Sequence, residues 1–180
     1  MANKHSQQGG WTLLETLVSA VILSIALLTF LDVFSSSTRL TRDTRAKHRA
    51  EETLRRNLES VANLVREADA GTVDGFDAAG VSTNPTFARV EGADENGRIY
   101  SATEQLKWKA SSSEVPGVSA PGRVVHVRDG SESLIADRVP SGGFSVWFDG
   151  DALVVKVRTY YAVDGHLEMA TGTTSVALRN

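Results

Sequence analysis

A chain of 180 residues, with 19 Lys and Arg against 22 Asp and Glu and a net charge of −3, has room for one apolar segment and one domain of ordinary size. A weakly acidic chain with no concentrated basic patch is ill suited to gripping duplex DNA by counterion release, so no direct nucleic-acid binding is expected. Cysteine is absent, which excludes disulfides and thiolate metal sites.

The chain opens on a short polar leader, Met1 to Gly9, in which Lys4 is the one Lys or Arg. Gly10-Trp11-Thr12-Leu13-Leu14-Glu15 follows, and then an apolar run uncharged from Thr16 to Leu31. Trp11 to Leu31 spans 21 residues, about 31 Å as a helix, against a hydrocarbon core of about 30 Å. An ordinary secretory signal places its cut after the apolar stretch, which this leader does not. Glu15 stands at the mouth of the run. A carboxylate near the centre of a spanning helix costs about 2.5–3.5 kcal/mol, so one placed here calls for a partner.

Gly, an aromatic residue, Thr, two Leu and Glu before an apolar helix resemble the prepilin signature of type IV pilins and type II secretion pseudopilins, over residues 9 to 31. The resemblance implies a peptidase cut between Gly10 and Trp11, N-methylation of Trp11 by a prepilin peptidase/N-methyltransferase, and a filament-assembly role for Trp11 and Glu15. The family favours Phe where this chain has Trp11. Loss of the leader removes Lys4, leaving 18 basic against 22 acidic residues, a net charge of −4. The freed Trp11 amine, with an ordinary pKa of about 7.7–8.0, is mostly protonated and suited to pair with Glu15 of a neighbouring subunit. The alternative is a contact of Glu15 with the positive end of its own helix.

The same resemblance implies a single-pass inner-membrane protein, leader cytoplasmic and C-terminal domain extracytoplasmic, that moves into a surface or periplasmic filament. Its implied partners are the peptidase, other pilin or pseudopilin subunits met through the N-terminal helix, and an inner-membrane assembly platform. The resemblance sets this orientation. Lys4 before the run against Arg39, Arg42, Arg45, Lys47 and Arg49 after it would favour the reverse.

From Trp11 to Ala70, sixty residues contain no Gly or Pro, which is compatible with one helix. Beyond the span the helix is amphipathic: Ala46, Ala50, Leu54, Leu58, Val61, Val65 and Ala68 recur at spacings of three and four. Glu51 with Arg55 and Glu52 with Arg56 are favourable i,i+4 pairs. Gly71 is the expected stop. The expected division is therefore leader 1–10, transmembrane and filament-core helix 11–34, amphipathic outer helix 35–70, and a β-sheet domain over 71–180.

Residues 71 to 86 read as a loop, rich in Gly, Asp and Thr with Pro85. Strands are expected at Phe87–Val90, Arg98–Ala102, Gln105–Lys109, Val124–Arg128 and Leu134–Arg138, with an exposed loop over Ser111–Gly122. Phe144–Phe148, a turn at Asp149-Gly150-Asp151 and Leu153–Val163 form the clearest hairpin. Its second strand alternates, with Leu153, Val155, Val157, Thr159, Tyr161 and Val163 on one face and Lys156 and Arg158 on the other. Short strands at Leu167–Met169 and Thr174–Arg179 close the chain. The expected class is α+β and pilin-like: one long N-terminal helix, its inner half transmembrane, packed on an antiparallel sheet.

No enzyme chemistry is legible. His5, His48, His126 and His166 show no ligand spacing, and no nucleophile elbow or phosphate loop occurs. Asp94-Glu95-Asn96-Gly97 resembles a calcium loop only in part, lacking the further ligands and closing Glu, and the Asp-Gly pairs at 74, 129, 149 and 164 are turn chemistry first. No catalytic residue, metal or cofactor is expected. The reading is a minor pilin or pseudopilin of a pilus, a secretion pseudopilus or a DNA-uptake fibre. Minor is favoured because the span lacks the Gly and Pro that interrupt many major pilins, with Asp32 where such a Pro often lies, and because the ending Thr174–Asn180 is similar to minor pilins and J-type pseudopilins. The alternative is a membrane-tethered extracytoplasmic binding module acting without assembly.

Overall fold

The computed structural model describes residues 12–95, 97–163 and 166–178 and divides between Asp43 and Thr44 into two compact units. One helix, α1 (Leu13–Arg66, 54 residues), begins in the first unit and ends in the second. The protein is α+β: a long N-terminal helix and antiparallel sheets.

Within the first unit the helix buries nothing. Every residue from 12 to 37 is exposed, the aliphatic and aromatic side chains from Leu13 to Phe34 included. Such a surface is stable only in lipid or against other apolar helices. Three hydroxyls in this stretch are turned inward onto their own backbone. Thr16 donates to the Leu13 carbonyl at 2.9 Å, Ser24 to Ala20 at 2.7 Å and Thr29 to Ala26 at 2.9 Å. Those three donors are thereby satisfied without water. By length and composition the segment is able to cross a membrane.

In the second unit α1 buries a stripe of Ala46, Ala50, Thr53, Asn57, Val61, Ala62 and Val65. Leu54 and Leu58, expected in that stripe, are half-buried and rest against the backbone at Gly172. The helix stops at Arg66, before the expected Gly71, because sheet pairing captures the chain first. Ala68 bridges Arg89, and the Asp69 N–H donates to the Ala88 carbonyl at 3.0 Å. Ala70–Thr72 then forms a 3₁₀ turn capped by Asp69.

Two four-stranded antiparallel sheets form in place of one. The first has the order β1 (Val81–Ser82), β8 (Phe144–Asp149), β9 (Ala152–Val163), β10 (His166–Ala177). The second runs β2 (Thr86–Phe87), β5 (Glu104–Ala110), β6 (Gly122–Arg128), β7 (Ser131–Ala136). A hairpin of β3 (Val90–Asp94) and β4 (Gly97–Tyr100) stands apart. The core draws on all three sources: Val61 and Val65 from α1, Val146, Leu153, Val155 and Val157 from the first sheet, and Phe87, Leu106 and Val124 from the second.

Several boundaries differ from expectation. The expected strand Phe87–Val90 is split between β2 and β3, and β1 lies inside the expected loop. The two short closing strands are one, with β10 paired to β9 at twelve consecutive positions from His166↔Val163 to Ala177↔Ala152. Asp129-Gly130, with φ of 51° and 76°, makes the two-residue turn between β6 and β7. Positive φ at both central residues matches strand twist and suits Asp-Gly.

Candidate functional site

Two places carry the chemistry, one in each unit. In the first unit Thr12 caps α1. Its carbonyl accepts from the Glu15 N–H at 3.0 Å and the Thr16 N–H at 3.2 Å, and its hydroxyl lies 3.3 Å from the Glu15 nitrogen. A Thr at this position satisfies donors that a helix start otherwise leaves free. Glu15 is thereby held in the first turn, where the positive end of the helix dipole favours a carboxylate, and its side chain is exposed. Gly10 and Trp11 lie outside the described residues. Asp32 stands seventeen residues beyond Glu15 on the same exposed segment.

In the second unit Arg49, Glu52 and Arg56 on α1 face Asp137 and Arg138 after β7 and Tyr161 on β9, around a polar cavity of about 290 Å³. Arg49 Nη1 donates to the Tyr161 hydroxyl at 2.6 Å, which holds the Tyr161 phenol below its ordinary value and pushes the Arg49 guanidinium up. The Arg138 guanidinium lies over the Tyr161 ring, 4.5 Å from its centroid, a cation–π arrangement. Arg138 itself has φ of 54°, a left-handed conformation that costs a non-glycine residue about 1 kcal/mol or more. The Tyr160 N–H holds it there by donating to the Arg138 carbonyl at 2.9 Å. Next to the cavity, Asn57 grips the backbone of Asp137 on both sides, donating to its carbonyl at 2.7 Å and accepting from its N–H at 3.3 Å.

A second charged group lies wholly inside. Glu104 is 0 % exposed; one carboxylate oxygen is 2.8 Å from Arg89 and the other 2.6 Å from His126 Nε2. Arg89 reaches on to Glu67 at 2.8 Å. Burial pulls the Arg89 guanidinium down, but Glu67 and Glu104 outweigh it and raise it overall. Ser133 Oγ stands 3.5 Å from His126 Nδ1, too long to count as more than a weak contact. With Arg89 compensating the carboxylate, the arrangement ties β5 to β6 and to the chain after β2. It serves packing.

Neither the arginine cavity nor the Glu104 cluster was among the sequence-expected sites. Glu104 was accessible to period-two reading, since it shares the inward face of β5 with Leu106 and Trp108. The cavity was not, because its residues come from positions 49 to 161 and only the fold brings them together. Asp94 and Gly97 form the ends of the β3–β4 hairpin, a turn. Among the described residues no three His, Asp or Glu side chains converge in a way that would hold a metal ion. No family model, no curated protein and no solved structure matches this chain.

Proposed function

We propose that the protein is a minor pilin or pseudopilin, cleaved after Gly10 and N-methylated on Trp11, that assembles through its N-terminal helix into a type IV pilus-like filament. The carrying observation is the first unit: a capped helix from Leu13 whose apolar side chains are all uncovered, with one carboxylate, Glu15, in its first turn. In a single helix only the positive end of the dipole favours that charge, whereas a neighbouring subunit offers it a full counter-charge. In a bundle of such helices, Glu15 meets the Trp11 amine of the next subunit, and the low dielectric makes the pair selective for one axial register. The apolar helices then form the filament core, and the sheet-bearing units its surface. The prepilin peptidase/N-methyltransferase and an inner-membrane platform are the partners this requires, with the leader cytoplasmic.

The test is Glu15→Val, which removes an insertion cost and touches nothing in the second unit. The variant is expected at normal membrane levels, with the second unit melting as in the wild type, but missing from sheared filaments. Wild-type recovery in that fraction would refute the pairing role. A second reading, a tethered binding module that works without assembly, is favoured by the arginine cavity. It needs no cleavage, so Gly10→Val would leave its activity intact while blocking a filament subunit.

A further inference from the structure

We infer that the cavity around Tyr161 is a carboxylate-binding site, independent of whether the chain forms filaments. Three guanidiniums, Arg49, Arg56 and Arg138, converge there with two carboxylates, Glu52 and Asp137, for a local charge of +1. These arginines are poorly matched by their own acids. Arg56 meets Glu52 at 3.6 Å and Arg138 meets Asp137 at 3.8 Å, while Arg49 spends its short contact on a phenol. Elsewhere in the same unit Arg89, Arg98 and Arg128 each close on a carboxylate at 2.6–2.8 Å. Guanidiniums left at long range retain donors that fit a planar carboxylate in a forked pair.

The backbone supports the same assignment. Arg138 is one of three non-glycine residues with positive φ among the described residues, and the other two, Ala120 and Asp129, lie away from the cavity lining. That conformation sets the Arg138 side chain over the Tyr161 ring. Strain kept at one residue of a charged cavity is the pattern of a binding position. Charge selects the ligand. A single carboxylate brings the site to neutrality, whereas a phosphate group, at about −1.5 to −2, overshoots it and meets Glu52 and Asp137 unshielded. The carboxylate is either a free small molecule or an Asp or Glu side chain of another chain.

The test uses the full chain in detergent micelles with ring-labelled tyrosine, of which there are three. Sodium acetate is titrated against sodium chloride and sodium phosphate at matched ionic strength, and the Tyr161 ring resonance is followed. A saturable shift with acetate is expected, weakened about tenfold or more in both Arg49→Gln and Arg138→Gln. Arg49 is exposed on α1, so its variant stays folded even if loss of Arg138 disturbs the chain. A non-saturating response equal to that with chloride, tighter binding of phosphate than of acetate, or an unchanged shift in the two variants would each overturn the assignment. A photo-reactive side chain at position 52 in cells separates the sources. Cross-linking to an acidic segment of another chain assigns the side-chain source, and saturable acetate binding without a cross-link assigns the free one.

Discussion

Glu104 shows what a single residue does in this fold. A carboxylate at 0 % exposure is tolerable because Arg89 and His126 face it at 2.8 and 2.6 Å, with Arg128 Nε 3.7 Å away. Replacing the carboxylate by an amide leaves Arg89 with Glu67 as its charged partner and gives Arg89 and His126 one neutral acceptor to share, which costs about 1–3 kcal/mol. Glu104→Gln is therefore expected to lower the denaturation midpoint sharply. Glu132→Gln, which breaks an exposed pair with Lys109, should leave the midpoint almost unchanged. Equal losses in the two variants would show that Glu104 is not held as described. Asp69 contributes on the acid side. The Gly71 N–H holds its carboxyl below the ordinary range, against the opposing effect of burial and with help from Arg98 at 2.6 Å. The folded value is thus lower than the unfolded one, so the unfolded chain takes up the proton first. Stability from this group is fully present above the ordinary carboxylate pKa of about 3.9 and drains away as pH falls through the folded value. Asp69→Asn should flatten the loss of stability below about pH 4, checked by melting the protein across that range.

At the scale of elements, close approach decides more than propensity. Gly122 opens β6 where a Cβ would sit 2.5 Å from the Lys109 carbonyl and 2.5 Å from the Trp108 ring. The carbonyl belongs to the paired strand β5 and cannot retreat, and Trp108 is tethered by its indole N–H to the Val139 carbonyl at 2.9 Å. Gly122→Ala is expected to cost about 1–3 kcal/mol through overpacking, read as a lowered midpoint with an unchanged far-ultraviolet spectrum. Asn57 joins elements by a different means. Its amide satisfies both backbone groups of Asp137, and Asn57→Leu should cost about 1–3 kcal/mol by leaving them unpaired. The long helix was legible because sixty residues without Gly or Pro admit little else. The hairpin of β8 and β9 was legible from alternation around Gly150. The central part of β10 was not, since Ala170 to Thr173 carries no apolar rhythm and is strand only because β9 lies beside it. The two-residue strands β1 and β2 owe their existence to distant partners, Trp147 and Val146 for one and Gln105 and Glu104 for the other. Local sequence holds no sign of such pairings.

For the whole molecule, the outer helix is part of the domain core and cannot be spared. A chain begun at Arg39 keeps the stripe from Ala46 to Val65 and is expected to melt cooperatively. One begun after Gly71 loses Val61 and Val65, fully buried and each worth about 1.5–3 kcal/mol, together with half-buried Leu54 and Leu58 and the Asn57 grip. That sum is comparable with a typical total stability of about 5–15 kcal/mol, so aggregation or disorder is expected. Sharp melting of the shorter chain would show that the helix lies outside the core. The proposed filament role rests on the other end of the same helix, with its Thr12 cap and exposed apolar surface, and on the processing and pairing proposed for Gly10, Trp11 and Glu15. The most direct measurement is the mass of the N-terminal peptide of the protein recovered from membranes. A peptide starting at Trp11 with a methylated amine is the expected result. A peptide still carrying Met1 to Gly10, or one cut at any other bond, would contradict the assignment.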